Sequence, residues 1–298
     1  MSYYTWGVTK PIEGEDMPKR NRTTKPKNVN YFRVPRRLWR RVKKHLPKRP
    51  KQRGPGRPRA DDRAVLNGIW YVLWTGCQWK AVHRDWFGVS SSVIHERFQT
   101  WQEQGIWEKV WHTMVRFYGR KRRVQWKWQS IDSKSCSSPL GGEQTGKNPT
   151  DRAKLGSKIH ILVDQRGAPL ALHVTGANEH DKWSVDDLVF TVVVPRPSGQ
   201  QHLCADKGYD YADVFQVVRD ENYIPHIKRR RKRGDPPDPC PIPGEHRYPA
   251  RRWVVERTLG WLVKRRSIRT RWCKKAENWL ALLQFACAHI LHDMAVFG

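Results

Sequence analysis

Three carboxylates stand out for where they sit. Asp132 closes the alternating run VQWKWQSID, Asp206 closes the short apolar run in QHLCADKG, and Glu256 is the lone acid in RRWVVERTLGWLVKRR, where six of sixteen residues are basic. The two aspartate runs read as short strands ending on the acid, and open α/β sheets expose their sites at the carboxyl ends of strands. If those strands are neighbours, the two acids lie side by side, and a cation between them relieves their repulsion. Mg²⁺ prefers oxygen ligands and keeps several waters, so two aspartates, a third acid and phosphate oxygens suffice to hold it. Glu256 supplies the third acid. Two ions roughly 3.5–4 Å apart would activate a water or a 3′-hydroxyl and stabilise the leaving oxygen of an in-line displacement, while the arginines and lysines around Glu256 grip the phosphates. Duller readings exist for each residue. Strand-end aspartates commonly cap turns, and Glu256 can pair with Arg252 for about 0.3–0.5 kcal/mol.

The rest of the chain must present those acids to a polyanion. Among 298 residues, Lys and Arg number 57 against 28 Asp and Glu, a formal net charge of +29, yet 16 tryptophans make a disordered polycation untenable. A folded, aromatic-rich, basic chain points to nucleic acid, since each cation on a phosphate releases counterions. A structural RNA-binding protein is the bland alternative and an anionic membrane surface a weaker one. Apolar runs such as FTVVV at 190–194 are too short to span a bilayer, and the N-terminus lacks the apolar stretch of a signal peptide. Cysteines 77, 136, 204, 240, 273 and 287 form no CxxC pair, which fits reduced thiols in the cytoplasm better than zinc or disulfides.

Periodicity sets out the elements. Residues 1–30 read as a basic, disordered arm, and 48–59 (KRPKQRGPGRPR) as a basic linker inside a helical DNA-binding domain covering 31–120. Within it, VPRRLWRRVKKHLP places Leu38, Val42 and Leu46 on one helical face. DDRAVLNGIWYVLWTG places Val65, Ile69, Val72 and Leu73 together and stops at Gly76. A short helix KAVHRDWFG and a longer one capped by Ser90 form a helix-turn-helix pattern, with Ile94, Phe98 and Trp101 buried. The second helix then presents Ser91, Ser92, His95 and Gln99 outward to DNA. A plain three-helix bundle is the competing reading. Residues 121–298 follow the order three strands, helix, strand, helix, strand, helix, an α/β domain with a mixed sheet. In the basic helix, Val255, Leu259 and Leu262 form the buried stripe, leaving Arg251 and Arg252 beside Glu256, with Arg265 and Arg266 adding sequence-independent affinity. Asp164 falls in a hairpin turn, Asp181 orients a neighbouring element, and His180 reads as a hydrogen-bonded structural histidine.

The strings GRPRADDRAVLNGI, TGCQW, NPTDRAKLGSK, GANEHD, ADKGYD and RRWVVERT, in this order, resemble the bacterial insertion-sequence DDE transposases of the "insertion sequence five" group, from about residue 34 onward. The resemblance implies an RNase H-like catalytic domain and strand transfer dependent on Mg²⁺ or Mn²⁺. It implies binding to terminal inverted repeats and target DNA, by a homodimer in the DNA complex. It assigns Asp132 and Asp206 as the two D residues and Glu256 as the E, separated by 74 residues (206 − 132) and 50 residues (256 − 206). Against the family's Y-R-E-K signature, Tyr248 and Arg251 keep the first gap, Arg252 is the arginine three residues short of Glu256, and Lys264 follows with seven residues between rather than six. Phosphate contact is expected of this cluster, Arg257 included. A metal-dependent nuclease without joining activity, or a catalytically silent DNA-binding regulator, are the alternatives.

Overall fold

The computed structural model describes residues 32–48, 58–230, 234 and 252–298. The N-terminal arm, most of the basic linker, Tyr248 and Arg251 lie outside the described residues.

The helical region begins with α1 (Arg36–Val42), which buries Leu38 and Val42. In α2 (Asp62–Thr75) the Asp61 side chain accepts a hydrogen bond from the Ala64 N–H and the left-handed Gly76 ends the helix, satisfying backbone groups at both ends. Its buried face carries Val65, Ile69, Val72 and Leu73 with Leu66 and Trp70. The expected second helix is reduced to a 3₁₀ turn at Trp79–Ala81 and the single turn α3 (Arg84–Phe87). Then α4 (Ser91–Glu103) buries Ile94, Phe98 and Trp101. Its Ile94 Cδ1 would lie 2.5 Å from a Cβ at Gly68, so glycine there lets α2 and α4 cross closely without displacing Ile94. A helix with no counterpart in the sequence reading, α5 (Ile106–Arg122), buries Ile106, Val110 and Met114 at helical spacing together with Trp107, Trp111 and Tyr118.

The sheet is built from β1 (Trp128–Ser137), β2 (Gly146–Lys147), β3 (Leu155–Asp164), β4 (Pro169–Gly176), β5 (Gln201–Ala205) and β6 (Tyr223–Ile227). β3 pairs antiparallel with β1 and β4, while β5 runs parallel to β1 and β6 parallel to β5. The spatial order is β4, β3, β1, β5, β6, with β2 extending the β3 edge. Asp164 terminates β3 as a structural residue. It is buried and accepts from the Tyr118 hydroxyl and from the N–H groups of Gln125, Arg166 and Ala168. The turn to β4 passes through Gly167 at φ 90°, where a Cβ would meet the Thr258 hydroxyl oxygen at 2.6 Å.

Helices α6 (Val185–Phe190), α7 (Ala212–Asp220), α8 (Trp253–Val263), α9 (Arg266–Arg269) and α10 (Ala276–Phe297) complete the chain. On one face of the sheet α8 lies across β1 and β3. On the other, α6 approaches β3 and β4, with Asp187 3.4 Å from His173. By length and composition α10 could cross a membrane, but most of it is buried among α4, α5, α8 and β4. Its Phe285 ring centroid stands 5.3 Å from Trp70 and 4.9 Å from Trp107. One apolar core therefore runs from the N-terminal helices into the sheet.

Candidate active site

Register brings the two aspartates together. The last parallel pair recorded between β1 and β5 is Ser130 with Cys204. Two residues further along both chains lie Asp132 and Asp206, on one face because side chains alternate with period two. Asp132 is not at a strand end, as the sequence suggested. β1 continues five residues past it, held by β3, and only β5 stops there. Asp206 follows the end of β5 and caps a 3₁₀ turn (Lys207–Tyr209), its Oδ1 accepting from the Gly208 N–H at 3.0 Å.

Glu256 enters from the first turn of α8, whose Val255, Leu259 and Leu262 are buried as expected. Arg252, at the N-cap of α8, ties the site together. Its Nη2 lies 3.3 Å from Asp206 Oδ2 and 3.6 Å from Glu256 Oε1. Burial is the main cause that pushes the Asp132 carboxyl up to about 6, and Glu256 and Asp206 push the same way. The Ser133 N–H, donating to Asp132 at 2.8 Å, and the Arg252 charge pull it back. The Asp132 carboxyl thus feels both other acids, and the Arg252 guanidinium lies between those two.

Behind them is a layer that the sequence reading did not assemble. Tyr209 is buried, and its phenol, raised well above its ordinary value chiefly by burial, feels Asp181, Asp132 and Asp206. Asp181 Oδ1 lies 2.7 Å from Lys158 Nζ, which also donates to the Glu179 carbonyl at 2.6 Å. The strings GANEHD and ADKGYD carried this signal, because both converge on the acids. His180 is structural, accepting from the Lys182 N–H and meeting the Tyr211 hydroxyl at 3.0 Å.

The remaining sequence-derived residues scatter. Arg257 points to the far side of α8. Its guanidinium lies over the rings of Trp253 and Trp261, at 4.5 and 4.7 Å, and donates to the Arg166 carbonyl. Lys264 is exposed at the C-terminal end of α8, about two turns from Glu256. Arg265 is buried, contrary to expectation, donating to the Trp261 carbonyl and bonding His289 at 2.6 Å. Arg266 is exposed. On α4, Ser92 is exposed and Ser91 half-buried. His95 stacks on Trp79 with centroids 4.9 Å apart. His95 and Gln99 are half-buried and line a partly open cavity with Leu140, Trp272 and Lys274.

Oxygen-only ligands suit a hard divalent cation, and the buried Asp132 carboxylate is one whose charge a cation would favour. The donor set therefore fits a metal. Among the described residues no three His, Cys, Asp or Glu side chains are gathered at ligating distance, and Arg252 instead bridges two of the acids.

Comparison with known proteins places the chain in a family along most of its length. A family model described as "Putative transposase of IS4/5 family" matches residues 34–111, and one described as "Transposase DDE domain" matches 113–291. The chain is 37% identical over 168 residues to a putative transposase for insertion sequence element IS402 of Burkholderia cepacia, covering 54% of this chain and 72% of that relative. It is 26% identical over 114 residues to an uncharacterised 16.2 kDa protein of the same element, covering 38% of this chain and 78% of that one. The fold is similar to that in the cryo-EM structure of a piggyBac transposase synaptic complex with hairpin DNA. There the TM-score is 0.52 at 11% identity, over 87% of this chain and 70% of that one.

Proposed function

Because the chain belongs to the DDE transposases of the IS4/5 type, we propose that Asp132, Asp206 and Glu256 form its catalytic centre and that it cuts and joins DNA there. The observation that carries this reading is the β1–β5 register, which sets Asp132 beside Asp206 under the α8 glutamate. The family uses divalent ions, and here the three carboxylates would hold Mg²⁺ or Mn²⁺, two ions in the fullest form of the proposal. When bound, such ions activate the attacking oxygen and stabilise the leaving one. The protein's own residues do the positioning. Asp206 is fixed by the Gly208 N–H, Asp132 by the Ser133 N–H, and Arg252 is placed to hold the phosphate being cut, where correct placement of the reacting atoms governs the rate. Tyr209, in the turn after Asp206, is buried, and Lys158 on β3 holds Asp181 nearby.

The rest of the reading concerns the DNA. Residues 31–120 would supply recognition of the element's terminal inverted repeats through the α4 face, with residues 1–30 as a basic arm and 121–298 as the RNase H-like catalytic domain. Target DNA enters at the acids, and two copies of the chain pair two ends. The test uses full-length protein, linear element-end DNA and a supplied target. Mg²⁺ should give cleaved ends and joined product, with EDTA, Asp206→Asn or Glu256→Gln giving neither while DNA binding remains. Equal cleavage in EDTA overturns the metal mechanism. Cutting without joining favours a nuclease, and binding without cutting a regulator.

A further inference from the structure

Beside the turn that follows Asp206, aromatic rings and cations interleave. Trp183, in the 3₁₀ turn Asp181–Ser184, is 65% exposed, and Lys182 Nζ stands 4.1 Å from its ring centroid. The same ammonium is 4.8 Å from the Tyr211 ring and is held by Asp213 at 2.9 Å. Arg230 covers Tyr211 at 4.7 Å and donates to its hydroxyl at 3.1 Å. It also donates to the carbonyls of Lys207 and Gly208, at 3.0 and 3.1 Å. Those two carbonyls belong to the residues immediately after Asp206, and Asp181 precedes Lys182, so the patch is built on the same turns as the centre.

Packing explains none of this exposure. A large indole left in water with a cation over it, beside an arginine bonded to carbonyls and a hydroxyl, has the composition of a surface for unpaired nucleotides. Every base offers a face to stack, whatever its identity, and phosphates follow the cations. A fully paired duplex keeps its bases stacked inside and gives an exposed indole nothing to cover. We propose that Trp183, Lys182, Tyr211 and Arg230 form a platform for a single-stranded stretch of DNA next to the scissile phosphate. Trp183 stacks on an unpaired base, Arg230 takes the adjoining phosphate, and Lys182, fixed by Asp213, keeps the indole oriented. The proposal rests on the DNA-cutting reading for its substrate but uses none of the three acids.

The experiment takes full-length protein with two probes of equal length, a blunt duplex and a duplex with a single-stranded overhang carrying 5-iodouracil. Irradiation should crosslink the overhang to the peptide containing Trp183. Trp183→Ala should remove that crosslink and weaken overhang binding about ten-fold, a typical stacking loss, while leaving the blunt duplex within about two-fold. Trp183→Phe should keep most of the affinity. Trp183 is exposed, so unchanged thermal melting of the alanine variant verifies folding. A crosslink mapped elsewhere, or equal effects on both probes, overturns the platform. Asp206→Asn should keep the crosslink. If wild-type protein shows the crosslink without metal-dependent cleavage, the catalytic reading fails and the platform stands, and cleavage without the crosslink is the reverse.

Discussion

Replacing Asp132 with asparagine should stabilise the metal-free protein at neutral pH. The carboxyl sits at about 6 in the folded chain against an ordinary 3.8, mainly because burial penalises its charge. A folded-state value above the unfolded one means the native state binds the proton more tightly. The penalty is therefore absent below about pH 3.8, grows between about 3.8 and 6, and is complete above 6. A gap of about two units at 1.36 kcal/mol each sets an upper limit of about 3 kcal/mol at pH 7. Asparagine keeps the shape and the Ser133 hydrogen bond but carries no charge, so it recovers part of that amount. For a chain of this size about 2–3 kcal/mol corresponds to a rise in melting temperature of roughly 4–10 °C. Melting of wild type and Asp132→Asn in EDTA at pH 7 and pH 4 measures it, with the difference present at the first and nearly gone at the second. Mg²⁺ should raise the melting temperature of wild type and leave the variant unchanged. A variant less stable than wild type in EDTA at pH 7 would refute the account of Asp132 as a carboxylate penalised by burial beside two other acids.

Arg265 and Arg266 should separate sharply. Arg265→Ala removes a buried guanidinium bonded to His289 and the Trp261 carbonyl and should cost about 1.5–3 kcal/mol of stability without changing the salt dependence of DNA binding. Arg266→Ala should leave melting unchanged and lower the slope of log affinity against log salt by about one. Phe285→Ala, between Trp70 and Trp107, should destabilise by about 3–5 kcal/mol in urea unfolding. A loss under about 1 kcal/mol would mean that α10 is not the tie between the helices and the sheet.

Much of the architecture was legible because periodicity reports which side of an element is buried. Val255, Leu259 and Leu262 were read as one face and are one, and the hairpin around Gly167 carries its turn residue in plain view. What periodicity cannot report is the partner across the interface. Arg265 looked like surface charge because its burial depends on His289, twenty-four residues away. The apolar alternation of β1 fades at Asp132, yet the backbone ladder to β3 runs on to Ser137. Helix α5 had the spacing of a helix in Ile106, Val110 and Met114, but its many charged residues hid the stripe. At the centre, the acids were visible one at a time, whereas Arg252 bridging two of them and the Lys158–Asp181 pair behind them depend on contacts across the sheet.

The embrace of the N-terminal helices by α10 has a consequence for synthesis. Phe285 lies 178 residues beyond Trp107 (285 − 107), and the ring contact between them is part of the core of the helical region. At a translation rate of roughly 5–20 residues per second, about ten to forty seconds pass between the two leaving the ribosome. Through that interval α2, α4 and α5 lack the α10 face that packs against Trp70 and Trp107. A nascent chain in this state exposes apolar surface to chaperones and neighbouring chains, so the yield of active protein should depend on holdase supply and on translation speed through the intervening sheet.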